Sequence, residues 1–333
     1  MNGEINQTGR KRVEKVERIK SHHADCPLHE LNRDKVMEIA AYWRNRPNTK
    51  RGKQCAFDTA RNQLDEIGRF LKWLETSTYG WTLPKGVTGI SRKGIVRFPE
   101  EKKLSAIVKT VYTPDQLAII NGTATNRERL ALYLGLNCAM GASELGHLLV
   151  SDFALNEIHP YAKTLGIASS NADSWLRCFR NKTSVFGEWR LWNETVDMVR
   201  WATGRAIAIG SEHLFCRETG KPLFDPASKK PDAGFANMWT LAVARAQKVD
   251  PTLPKLAFGT LRDTLPNYLR THHDTELASI CLAHGNPSRD TLIECYANRP
   301  FGRLHVAMKA ARDFFAPVFV RHQTPVEESA KRA

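Results

Sequence analysis

A chain of 333 residues is too long for one ordinary hydrophobic core and suits two domains. Its hydrophobic fraction of 42% and charged fraction of 25% describe a globular protein rather than a disordered one. No apolar run approaches the length of a membrane span, and the N-terminus is polar where a secretory signal would be apolar. The net charge of +14 is spread along the chain: residues 1–108 hold 22 Lys and Arg against 13 Asp and Glu, and residues 109–333 hold 27 against 22. Such an excess favours a polyanionic partner, because each neutralised phosphate releases condensed counterions. The seven cysteines are odd in number and never spaced C-x-x-C, so they read as reduced thiols of a cytoplasmic protein.

Residues 1–27 carry the basic run Arg10-Lys11-Arg12 and read as a basic flexible arm. Within the arm, His22, His23, Cys26 and His29 stand close together, but structural zinc sites join two separated ligand pairs and no second pair is evident. No metal site is assigned. Asn32 is placed to cap a helix over about 34–44, with Val36, Ile39, Ala40 and Trp43 on one face. A second helix over about 57–75 puts Ala60, Leu64, Ile67, Leu71 and Leu74 on one stripe. Between them, the basic loop holding Arg46, Lys50, Arg51 and Lys53 is a candidate DNA contact. Residues 28–105 therefore read as a small, basic helical domain, followed by a linker punctuated with Gly and Pro.

The second domain is expected over 110–325, with 326–333 as a tail. Thr113-Pro114-Asp115 has the form of a helix start, and residues 127–140 form a strongly apolar helix. Another helix begins at Ser143. From Trp175 to Trp192, aromatic and β-branched residues flank Asn181-Lys182-Thr183-Ser184, which predicts two short strands with a lysine at the turn. Helices follow at about 192–206, 233–247, 260–271, 275–282 and 301–315. The last carries an apolar stripe of Phe301, Leu304, Met308, Ala311, Phe314 and Phe315.

Chemistry concentrates near the C-terminus. Arg262, His284 and Tyr296 fall in that order within 35 residues, with apolar helical stretches between them. None of the three is specific alone; a tyrosine after an apolar helix ordinarily packs, and a histidine before a glycine ordinarily ends a helix. In a chain this basic, an arginine that clamps phosphate and a phenolic nucleophile point together to strand cleavage through a covalent phosphotyrosine.

The segments YTPDQL, LALYLGLNCAMGASELGHLLVSDF, RNKTSVFGEWRLW, FGTLRDTLPNYL, LAHG and CYANRPFGRLH resemble, in order, the landmarks of the tyrosine recombinases of phage-integrase type. The resemblance spans nearly the whole chain. It implies a mainly α fold with a small β-sheet, arranged as a two-domain clamp of a helical core-binding domain and an integrase-type catalytic domain. It places the hairpin lysine on Lys182, the second arginine on Arg262, the late histidine on His284, the nucleophile on Tyr296 and a supporting acid on Glu144. It implies double-stranded DNA as partner, a homo-oligomer (a tetramer) on DNA, no cofactor, no membrane, and a cytoplasmic place at the nucleoid. In the family, a helix after the nucleophile docks on a neighbouring protomer and assembles the tetramer, so residues 301–319 are expected to form an exchangeable helix; packing within the chain is the plainer reading.

Two landmarks are substituted. Gly141 stands where the family has its first arginine, and Gly259 where it has its first histidine. Removing one preorganised donor from such a site costs on the order of 10²–10³ in rate. Arg127, Arg129 and Arg180 are the arginines that sequence leaves open as substitutes. Two functions follow from the resemblance. One is a site-specific recombinase or integrase, of a mobile genetic element, working through a 3′-phosphotyrosine with weakened activity; the other is a catalytically inactive DNA-binding protein of the same fold.

Overall fold

The structure is a computed structural model that describes residues 7–49, 52–87, 90, 92–98, 110–181, 184–228, 230–284 and 298–320. The chain divides into two units, residues 1–108 and 109–333, each with its own hydrophobic core.

The first unit is built from α1 (Gln7–Lys20), α2 (Arg33–Arg44) and α3 (Phe57–Glu75). The Asn32 side chain accepts from the Lys35 amide at 3.1 Å and so starts α2 where a cap was expected. The stripe Ala60, Leu64, Ile67, Leu71 and Leu74 is buried and shares a core with Val36, Ala40 and Trp43. The expected flexible arm is corrected over residues 7–20. This stretch is α1, packed on α3 through the Arg12–Glu66 ion pair at 3.1 Å, and Ile19 lies against the core. Burial alone would raise the Glu66 carboxyl, but hydrogen bonds from Arg69 and Arg12 outweigh it and hold Glu66 below the usual carboxylate value.

In the second unit, Thr113 and Thr125 open α4 (Pro114–Thr123) and α5 (Asn126–Asn137) with reciprocal capping boxes. Every residue of α5 from Glu128 to Asn137 is buried. That explains why the sequence there is apolar on all sides instead of on one stripe. Its buried charges are paired: Glu128 with Arg245, and Arg129 with Asn121 and Asn126. A short α6 (Ala142–His147) follows, then β1 (Phe153–Ala154), α7 (Ala162–Leu165), β2 (Trp175–Arg180) and β3 (Val185–Arg190). The strands form one antiparallel sheet in the order β1-β2-β3, with Trp175 opposite Arg190 and Arg180 opposite Val185. The two strands expected from sequence are β2 and β3; β1, at two residues, is too short to show a period. Asn137, buried at the end of α5, donates to the Arg190 carbonyl and accepts from the Trp192 amide, which fixes the exit of the sheet.

Helices α8 (Asn193–Ala208), α9 (Ala233–Val249) and α10 (Gly259–His272) pack around α5, and α11 (Thr275–Cys281) packs on α10 and β3. Behind the sheet lies a buried polar cluster that sequence did not reveal. His159 Nε2 is 2.6 Å from Glu188 Oε2, Arg177 Nε lies 3.3 Å from the same oxygen, and His305 sits against Trp175. Burial, with repulsion from His159, lowers His305 to about 3 and keeps it neutral.

The chain ends in α12 (Phe301–Phe314) and α13 (Ala316–Val320). Phe301, Leu304, Met308, Ala311, Phe315, Val318 and Phe319 are all buried within their own unit. Residues 301–320 thus pack within their own unit, which is the plainer of the two readings. Trp192 donates to the Met308 carbonyl at 3.0 Å, and Asn121 donates to the Val318 carbonyl at 2.8 Å. Of the stripe, Phe314 alone is substantially exposed. Among the described residues no helix is long and apolar enough to cross a membrane. If these two helices hold the unit together, Phe315→Ala will lower its stability by about 3–5 kcal/mol in urea unfolding. A loss under about 1 kcal/mol would show that their docking is marginal.

Candidate functional site

Three separate elements bring charge to one cleft. Glu144 comes from the first turn of α6, Arg180 from the end of β2, and Arg262 from the first turn of α10. They line a cleft of about 190 Å³ together with Met140, Asp152 and Ala283. The Glu144 Oε1 atom accepts from Arg180 Nε at 3.0 Å and from an Nη group of Arg262. Its other oxygen accepts the Gly141 amide at 3.2 Å, so the carboxylate is also the cap of α6. Arg262 donates further to the Leu282 carbonyl at 3.4 Å. All three side chains are mostly buried, with exposures of 11% for Arg180, 17% for Glu144 and 18% for Arg262.

Burial would push the Glu144 carboxyl up. The attraction of Arg262 and the hydrogen bonds from Arg180 and Arg262 overcome that and hold it below the usual range. Asp152 shows the contrast: burial raises its carboxyl despite a 2.8 Å bond from the Leu149 amide, and among the described residues no cation pairs with it. Beside the cleft, Cys178 and Cys281 are pushed to about 12 by burial, so neither is a nucleophile near neutral pH.

Two alanines bordering the cleft hold left-handed backbone, Ala139 at φ 51° and Ala283 at φ 46°. Each costs about 1–2 kcal/mol relative to relaxed backbone, and such strain gathers at functional sites. Ala283 belongs to the cap of α11. The Ala283 amide donates to the Ile280 carbonyl at 2.9 Å, and the His284 amide to the Ser279 carbonyl at 3.1 Å, which makes a Schellman motif. This motif carries His284, whose side chain is exposed, to the residue next to the cleft lining.

The structure thus brings together Arg262 and Glu144, with Gly141 at the cap between them. A Cβ on Gly141 would lie 3.0 Å from Glu144 Oε2 and 3.6 Å from Arg262 Cδ. Residue 141 therefore borders the Glu144–Arg262 pair; its φ of −93° is open to any residue, but a side chain there would require Glu144 to give slightly. Gly259 begins α10, and a Cβ there would meet nothing within 4 Å. Lys182 and Tyr296 lie outside the described residues. Of the three arginines left open by sequence, Arg127 pairs with Glu218 and Arg129 is buried against Asn121 and Asn126. Only Arg180 reaches the cleft.

In the first unit, the reading of Arg46 as a DNA contact is corrected. It is 4% exposed, donates to the Cys55 carbonyl at 2.8 Å and the Val96 carbonyl at 3.3 Å, and lies over the Phe98 ring. Its guanidinium ties a loop to the rest of the unit. Lys53 is exposed, while Lys50 and Arg51 lie outside the described residues. His22 packs edge-on against Trp43 and His23 edge-on against Tyr42, and His22 Nδ1 lies 2.6 Å from the Tyr42 hydroxyl.

The fold is that of the tyrosine recombinases. The chain is similar to a lambda integrase (residues 75–356) dimer bound to a COC′ core site, at 15% identity and a TM-score of 0.53, over 91% of this chain and 92% of that one. It is similar also to the Tn1549 transposon integrase (residues 82–397) in complex with circular intermediate DNA, at 14% identity and a TM-score of 0.54, over 89% and 92%. A lambda integrase tetramer bound to a Holliday junction is matched at 14% identity and a TM-score of 0.53, over 90% of this chain and 74% of that one. No protein-family model and no curated protein matches the sequence.

Replacing Glu144 by Gln keeps an acceptor for the Gly141 amide but removes the charge between two guanidiniums. At pH 7 the variant should be less stable by about 1–3 kcal/mol. The sign of the pH dependence follows from the depressed carboxyl. Its contribution is complete above the unfolded value of about 4.3 and is lost as pH falls through the lower folded value. Urea unfolding of wild type and Glu144→Gln should therefore converge in acid, and a gap unchanged from pH 7 to pH 3 would contradict the assignment.

Proposed function

We propose that this chain is a site-specific DNA recombinase that cleaves and rejoins strands through Tyr296. The observation that carries the reading is the cleft itself, where Arg262 is held by Glu144 in a fold shared with DNA-bound integrases. Attack of the Tyr296 phenolic oxygen on a phosphodiester forms the Tyr–phosphorus bond and breaks the bond to the 5′ oxygen, leaving a 3′-phosphotyrosine. Lys182 gives its proton to the departing 5′ oxygen, and the phenol loses its own to solvent. Arg262 and His284 neutralise charge that builds on the non-bridging oxygens. A 5′ hydroxyl from a partner strand then reverses the step. The phosphotyrosine conserves the bond energy, so neither metal nor nucleotide cofactor enters this scheme.

The two units grip duplex DNA as a clamp in this reading, and copies of the chain assemble on DNA as a tetramer. The lambda integrase tetramer on a Holliday junction supports that assembly by likeness of fold. Excess positive charge in both parts of the chain supports the clamp. The second reading, a DNA-binding protein that has lost strand exchange, is favoured by Gly141 and Gly259, which remove two donors from the family's set.

Both readings require binding that weakens steeply with salt, by about 10³-fold or more between 50 and 200 mM if six or more phosphates are contacted. They part on chemistry. A library of nicked duplexes with a randomised core, incubated with the protein and recovered under denaturing conditions, should yield a covalent adduct with wild type and none with Tyr296→Phe. An adduct that survives Tyr296→Phe would refute the nucleophile. Salt-sensitive binding with no adduct from any duplex would leave the non-enzymatic reading standing.

A further inference from the structure

Two guanidiniums share one carboxylate at Glu66 and Glu218 as well, but there the arginines or the acid are largely exposed, whereas at Glu144 all three groups are mostly buried. A single acid neutralises only one of the two guanidiniums, and the second charge is mostly removed from water at real cost. The Glu144–Arg180–Arg262 group therefore holds an excess positive charge in a cleft, with geometry fixed by three different elements. Asp152, the other acid lining the cleft, accepts from the Leu149 amide and pairs with neither arginine.

The bonding pattern shows which edge of Arg180 is committed. Glu144 takes its Nε, and no bond among the described residues takes its two terminal Nη groups. Arg262 is committed through one Nη to Glu144 and weakly through the other to the Leu282 carbonyl. Arg180 and Arg262 line the same cleft. A phosphodiester has two non-bridging oxygens, and two arginines brought together by a shared acid suit one oxygen each.

We infer that Arg180, at the end of β2, is the second phosphate-clamping arginine of this site and stands in for the side chain missing at Gly141. This rests on the recombinase reading above. Arg180 enters from the sheet, whereas a residue at 141 would enter from the cap of α6. Both approaches converge on Glu144 and Arg262. The substitution at 141 then leaves the site complete, with the same charge delivered from the end of β2 instead of the cap of α6.

The test uses the full chain and the duplex recovered from the randomised library. Arg180→Gln should reduce covalent adduct by about 100-fold or more, the scale for one preorganised donor. A methylphosphonate at the cleaved position, which lacks one charged oxygen, should restore much of that loss; a merely structural arginine would not be rescued this way. Arg180→Lys keeps a cation against Glu144 and guards against failure to fold. It should bind DNA as wild type does yet lose at least tenfold in adduct, because the fork is gone. Adding Gly141→Arg to Arg180→Gln should recover adduct. Arg127→Gln, whose partner is Glu218, should change nothing. Adduct from both Arg180 variants within threefold of wild type, with Tyr296→Phe still inactive, would overturn the clamp and leave the recombinase reading intact. If wild type forms no adduct, the recombinase reading falls, and the salt slope of non-covalent binding decides the clamp. A slope reduced by about 0.9 in Arg180→Gln sustains a phosphate contact, and an unchanged slope removes it.

Discussion

One carboxylate organises this site. Glu144 caps α6 through the Gly141 amide and, with its other oxygen, holds Arg180 of β2 and Arg262 of α10. Three elements far apart in sequence are thereby fixed against one another by a group that must stay ionised to do so. The depressed carboxyl shows that attraction and hydrogen bonding exceed the cost of burial. The surrounding fold protects this arrangement. The buried α5 sets the starting point of α6, the Asn137 side chain fixes the exit of the sheet, and the Schellman cap of α11 presents Ala283 and His284 beside the cleft.

Much of the fold was legible in sequence because its signals are local. Helices α2 and α4 begin at the capping side chains of Asn32 and Thr113, and α2 and α3 bury stripes at helical spacing, so local chemistry marked each of them. The hairpin of β2 and β3 was legible from its aromatic and β-branched flanks. Where the reading went wrong, the deciding contact was long-range. α1 looked like an arm because its charges outnumber its apolar residues, yet Arg12 meets Glu66, 54 residues away. Arg46 sat in a basic run that resembles a solvated loop, but its partner Val96 is 50 residues distant. No local pattern carries that information.

The site was legible in part for the same reason. Arg262 and Glu144 belong to ordered motifs and lie together, 118 residues apart in sequence. Arg127, Arg129 and Arg180 were equivalent candidates on paper. Tertiary structure separates them by giving each a different partner: Glu218 for Arg127, Asn121 and Asn126 for Arg129, and Glu144 for Arg180. A missing residue in a motif is thus a statement about one position. Whether its charge is missing from the site depends on which neighbours the fold turns inward.

That distinction separates a cleft that lacks a second phosphate-binding arginine from one supplied with it by β2. It is most directly decided by a structure of the Tyr296→Phe chain on an uncleaved duplex at its own site. The account predicts a single phosphate in the cleft with Arg180 and Arg262 each within hydrogen-bond reach of a different non-bridging oxygen, and Glu144 still bonded to both. A phosphate seated on Arg262 alone, or a cleft that stays clear of the DNA backbone, would contradict it.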